Sequence, residues 1–216
     1  MVARPDVKYP KFKDQFAAMD FEAEPLPVLS LYPMPEPQAL EDWSLPITEL
    51  TGRTSVATWE HLKKLPRVQE PTPLVCQIFN WSETPLVTGV RLPALMDSLG
   101  VGLTGARFLS FYSADGMYFE TLPKSLARDP RVLLVYEIEG ERLPHELGGP
   151  VRLWVPFLQG YKSVKWLNQI RGFVRDPHGI KRLLGQSKTS VLGAPGQEKA
   201  HIVVARMGSG DASVEV

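Results

Sequence analysis

The chain has 216 residues, 44% of them apolar, and its 24 basic and 24 acidic side chains cancel. That balance excludes wholesale disorder and a broad nucleic-acid or anionic-membrane face, leaving room only for a local basic pocket. One cysteine and four scattered histidines, without HExxH or CxxC, exclude a disulfide framework, haem attachment and the common zinc sites.

From Met1 onward the first residues carry Lys8, Lys11, Lys13 and Asp14 rather than an apolar leader. This predicts a cytoplasmic protein, or a periplasmic one if a signal has been removed. Six prolines between residues 22 and 46 fix φ and remove donors, which predicts an extended arm. Trp43 to Thr48 alternates apolar and polar residues, as a short strand does. Thr58 then caps a short helix, Trp59 to Leu65, with His61 on its exposed face. Leu74 to Phe79 reads as a strand and Asn80 to Pro85 as a loop. Leu92, Leu95, Met96 and Leu99 have helical spacing, and Gly100 stops that helix. Ala106–Tyr112 and Met117–Leu122 read as strands joined through an Asp115-Gly116 turn. A short helix begins at Leu122. Val132–Ile138 and Pro150–Pro156 are further strands, with a hairpin turn at Glu139-Gly140. Val164–Ile170 fits strand better than helix. No apolar run approaches the length of a bilayer span.

The pattern predicts an α+β fold built on mixed β-sheet, richer in strand than in helix. The expected divisions are an N-terminal extension (1–25), a central domain (26–171) and a peripheral C-terminal appendage (172–216) with a loose tail.

Three features carry possible chemistry. Cys76 ends an apolar strand just before a polar loop; it is either a small core residue or a thiolate ligand. Gly160-Tyr-Lys-Ser-Val-Lys165 sets two lysines and a serine after a glycine, as a phosphate cradle does, or is simply a solvated loop. Gly148-Gly-Pro-Val-Arg152 dictates a tight path into a strand, from which Arg152 reaches either a ligand or a surface acid.

In order along the chain these features resemble the molybdopterin-binding domain of the sulfite oxidase family. The resemblance runs over roughly residues 26–171, from Pro27-Val-Leu-Ser-Leu-Tyr and Trp43-Ser-Leu-Pro-Ile, through Cys76 and Gly89-Val-Arg-Leu-Pro-Ala-Leu-Met, to Asp115-Gly and Leu122-Pro. It is most specific from Leu133 to Leu167, which holds Gly148-Gly-Pro-Val-Arg-Leu-Trp-Val-Pro and Gly-Tyr-Lys-Ser-Val-Lys-Trp-Leu. The resemblance implies that Cys76 binds molybdenum and that Tyr118 lies beside the metal's oxygen ligands. It also implies that Ser113 and Arg152 face the pterin, and that Lys162, Ser163, Val164 and Lys165 hold its phosphate.

The sequence also departs from that pattern. Leu147 stands where the family usually has a polar residue, often histidine, and His145 is out of register. Ser30 and Leu31 replace a usual His-Tyr. No cation follows Cys76 in Gln77-Ile-Phe-Asn-Trp-Ser, which argues against sulfite, because a buried oxyanion needs a cationic partner.

The expected function is a molybdopterin-dependent oxidoreductase carrying out oxygen-atom transfer or a related two-electron reaction on a small molecule. With no haem or iron–sulfur motif in the chain, electrons pass to a separate electron-transfer partner. The alternatives are a catalytically degenerate relative that binds the cofactor or serves as a partner subunit, and an unrelated α+β domain with an inert Cys76.

Overall fold

The structure is a computed structural model that describes residues 33–76, 81–183, 190 and 192. The strands among them are β1 (Ser44–Thr48), β2 (Thr54–Thr58), β3 (Val68–Pro71), β4 (Leu74–Cys76), β5 (Trp81–Glu83), β6 (Leu86–Arg91), β7 (Phe108–Ser113), β8 (Phe119–Pro123), β9 (Leu133–Ile138), β10 (Glu141–Arg142), β11 (Arg152–Trp154) and β12 (Leu167–Phe173). Short helices α1 (Trp59–Lys63), α2 (Leu92–Ser98), α3 (Lys124–Ala127) and α4 (Ile180–Leu183) punctuate them. The α+β expectation holds.

The strands form two five-stranded sheets and a small pair. One sheet runs β2-β1-β12-β7-β8, the second runs β10-β9-β6-β3 with β11 also on β9, and β4 pairs with β5. Within the first, β1 and β12 are parallel and the other neighbours antiparallel. Residues 33–39 are irregular, in agreement with Pro33, Pro35 and Pro37, and the earlier part of the expected arm lies outside the described residues. The described segment is fastened where Trp43 Nε1 donates to the Leu167 carbonyl at 2.9 Å. Strand β1 buries alternate residues, as a strand with one covered face should, whereas β7 and β9 are buried almost throughout. Leu45, Ile47, Leu109, Phe111 and Ile170 join Val90, Leu134 and Leu153 in one apolar cluster between the sheets.

Two local expectations change. Trp81–Glu83 is a strand, not a loop: it pairs antiparallel with β4, Cys76 opposite Trp81. His61 is not idle on an exposed face. Its Nδ1 accepts the Thr58 backbone N–H at 3.2 Å, closing the first turn of α1.

At Gly89 the ladder between β6 and β9 shifts register, and an added Cβ would sit 2.3 Å from the Leu134 carbonyl oxygen. That oxygen belongs to a central strand and has nowhere to go. Gly89→Ala is therefore expected to destabilise the fold by about 2 kcal/mol or more. A denaturant midpoint unchanged in this variant would refute that reading of the close approach.

Candidate functional site

The turn Glu146–Pro150, strand β11 and the segment Gly160–Trp166 converge on Arg152. Gly148 takes φ +104°, and a Cβ there would meet Lys165 at 2.7–2.9 Å; at Gly149 it would lie 2.2 Å from the Leu143 carbonyl oxygen. Only glycine lets the turn pass so close to its neighbours. The turn carbonyls then face inward. Leu147 O accepts from Arg152 Nη1 at 3.0 Å and Glu146 O accepts from Lys165 Nζ at 2.7 Å. From the other side, Ser163 O accepts from Arg152 Nε at 3.2 Å, and Ser163 Oγ accepts the Val155 N–H at 3.0 Å.

Arg152 is 6% exposed, and among the described residues no carboxylate lies within ion-pair distance of it or of Lys165. Carbonyl dipoles and the indole faces of Trp154 and Trp166, at 5.0 and 5.5 Å, compensate them in part. Burial lowers Arg152 from the ordinary guanidinium range to about 10, with Tyr118 opposing weakly. Burial also holds Lys165 well below the usual lysine value; the Arg152 charge adds to that and Glu146 opposes it. A buried guanidinium and a half-buried ammonium, with no carboxylate at ion-pair distance among the described residues, make a setting suited to an anion. The backbone N–H groups of Val164 and Lys165 reinforce it, since neither meets an acceptor among the described residues.

Tyr118 stands beside this cluster. Its hydroxyl donates to the Tyr161 carbonyl at 2.7 Å, and its backbone N–H donates to Asp115 Oδ1 in the expected Asp-Gly turn. Ser113, 3% exposed, ends β7 within the same turn: its N–H donates to Tyr118 O, and its Oγ accepts from the Asp115 N–H at 3.3 Å. Val164 has its side chain in the apolar core, so it offers only backbone to a ligand.

The strand that ends at Cys76 touches the site through Val75. Val75 bridges Gln159, and a Cβ on Gly160 would come within 3.0 Å of the Val75 carbonyl oxygen. The end of β4 is thus seated against the turn that opens the Lys-Ser-Val-Lys segment. Gln77–Asn80 and the arm residues Ser30 and Leu31 lie outside the described residues.

The site gathers Tyr118, Ser113, Arg152, Ser163 and Lys165, but Lys162 is engaged elsewhere. Its Nζ bonds Glu120 Oε2 at 2.6 Å and the Thr121 carbonyl at 3.0 Å, both on β8. Burial raises Glu120 above the usual carboxylate range, with the Lys162 charge pulling against that. Glu120 escaped the sequence reading because a lone glutamate in a strand resembles a solvated face. His145 turns away too: its Nε2 meets the Pro35 carbonyl at 2.8 Å while its Nδ1 is buried without a partner. Among the described residues no three His, Cys, Asp or Glu side chains gather as a metal cage, and no helix is long and apolar enough to cross a membrane.

Comparison with known proteins shows the family. Residues 32–180 match the family model described as the oxidoreductase molybdopterin binding domain. Inducible nitrate reductase [NADH] 2 of Glycine max is 30% identical over 167 residues, covering 63% of this chain and 19% of that protein. Nitrate reductase [NADH] 1 of Arabidopsis thaliana is 31% identical over 159 residues, 60% of this chain and 17% of that one. The chain therefore spans under a fifth of the length of these relatives. The crystal structure of the sulfane dehydrogenase SoxCD from Paracoccus pantotrophus shares the fold, with a TM-score of 0.60 at 24% identity over 66% of this chain and 41% of that one. With the family model matching well over half its residues, the chain belongs to the oxidoreductase molybdopterin-binding domain family, of sulfite oxidase type.

Proposed function

We propose that the protein is a molybdenum cofactor-dependent oxidoreductase that carries out oxygen-atom transfer or a related two-electron reaction on a small substrate other than sulfite, exchanging electrons with a separate partner. The observation that carries this reading is the Arg152–Lys165 pair, without a carboxylate at ion-pair distance among the described residues, with its two open amides, a donor set suited to a phosphate. In this reading Arg152 meets the pterin, and Ser163, Lys165 and the backbone at Val164 hold the phosphate. Cys76 gives a thiolate to the metal, and the group itself supplies the two-electron chemistry. Tyr118 orients substrate by its hydroxyl, which the Tyr161 carbonyl fixes in direction. Ser113 lines the same side. The absence of a cation in Gln77-Ile-Phe-Asn-Trp-Ser supports a substrate other than sulfite.

The test is to isolate the full chain from a host that synthesises the cofactor. Pterin and molybdenum are then measured per chain, and turnover is assayed with artificial electron donors and acceptors. Pterin and molybdenum near one per chain, with dye-coupled turnover of an oxo-acceptor or oxo-donor, is the expected result. Full cofactor without turnover in either direction would transfer the reading to a cofactor-binding partner subunit. A chain that takes up no pterin would end both.

A further inference from the structure

The Glu120 side chain is fully buried on β8 although it is a carboxylate. Both of its oxygens are used, each on a different segment. Oε2 accepts from Lys162 Nζ at 2.6 Å, and Oε1 accepts the backbone N–H of Lys181 in α4 at 2.7 Å. Gly179 passes so close that a Cβ there would lie 2.3 Å from Oε2. A second tie joins the same parts of the chain. Ser190 O accepts the Gln159 N–H at 2.9 Å, and its Oγ accepts the Tyr161 hydroxyl proton at 2.6 Å. The loop that opens into Ser163 and Lys165 is therefore gripped from β8 and from Ser190, with residues 179–181 seated against Glu120.

We propose that Glu120 is the positioning residue of the anion-binding segment. It anchors Lys162 to β8, so that Lys162 serves as a structural post rather than an anion ligand. It thereby holds Ser163, the Val164 amide and Lys165 in register around Arg152, with the chain at 179–181 locked behind them. The identity of the ligand rests on the reading above; the positioning role does not.

The test uses the full chain as wild type, E120Q, E120A, K162M and the double variant E120A/K162M. Three quantities are read: pterin content on isolation, the melting temperature of cofactor-free protein, and its shift by sulfate. Removing the post is expected to lower pterin content and sulfate affinity by about tenfold in E120A and K162M alike, the size of effect seen when a supporting partner of a binding group is lost. E120Q keeps one acceptor oxygen and turns its amide N–H toward the other donor, so it loses the charge and one of the two hydrogen bonds and falls between. The double variant removes the stranded charge, so it regains melting temperature over K162M yet binds no better than E120A. That split separates positioning from mere stability. If Lys162 were a direct ligand with Glu120 as its competitor, E120A and E120Q would bind sulfate as well as wild type or more tightly. That result overturns the proposal, as does full binding by the double variant. Should wild type take up no pterin, the functional reading fails while the sulfate series still decides on Glu120.

Discussion

Cys76→Ser protein, made in a host that synthesises the cofactor, is expected to hold less than about a tenth of the wild-type molybdenum while keeping its fold. The reason lies in donor chemistry. A thiolate is a strong, polarisable ligand for a high-valent metal, and a serine hydroxyl at neutral pH is neither charged nor soft. No cage of other donors among the described residues stands ready to take over. The substitution changes little volume, so stability should change by less than about 1 kcal/mol.

The same experiment separates the two ends of the site. Arg152, Ser163 and Lys165 lie beyond the turn that β4 touches at Gln159 and Gly160, and their grip does not depend on sulfur. Pterin should therefore be retained in the variant at half the wild-type level or more, with metal lost selectively. Equal molybdenum in wild type and variant would sink the assignment of Cys76. Loss of pterin and metal together, at unchanged stability, would mean that the anion cluster does not hold the cofactor by itself.

Local sequence made much of this fold legible where one physical rule governed a segment. Alternation from Trp43 to Thr48 yields β1, and Leu92, Leu95, Met96 and Gly100 yield α2 with its stop. Glu139-Gly140, both at positive φ, makes the hairpin turn expected of it. What failed depended on distant partners. Trp81–Glu83 has no apolar alternation and is a strand only because β4 lies beside it. The strand expected from Val164 starts at Leu167 instead, since Ser163 and Lys165 are drawn around the Arg152 corner and Trp166 takes φ +49°.

The site divides in the same way. Composition left Arg152 undecided between ligand and surface acid, and burial without a carboxylate settles which environment it has. Lys162 and Lys165 look equivalent in the sequence. They differ because Glu120, 42 residues upstream of Lys162, claims one and leaves the other. No local pattern encodes that choice; it is made by the packing of β8 under the loop.

The Arg152–Lys165 pair predicts opposite pH trends for ligand affinity and for stability in the cofactor-free protein. Lys165 is held well below the ordinary lysine value by burial first and by the Arg152 charge second. A bound anion favours the charged form of Lys165, so binding takes up a proton wherever the free site has lost it. Sulfate, which does not itself titrate there, should bind most tightly toward neutrality. Its affinity should weaken as pH rises through a range below that of a free lysine, and again near the value of about 10 to which burial lowers Arg152. The unfolded chain keeps the Lys165 proton longer than the folded one, so it binds more protons across that window and folding stability rises with pH. Lys165→Met should cut sulfate affinity about tenfold at neutrality and remove the first fall. Lys165→Arg should restore charge at high pH and move that fall upward. Titrations followed by calorimetry between neutrality and about pH 10 decide the matter. Affinity that stays flat, or affinity and stability that fall together, would mean that the two cations do not bind the anion.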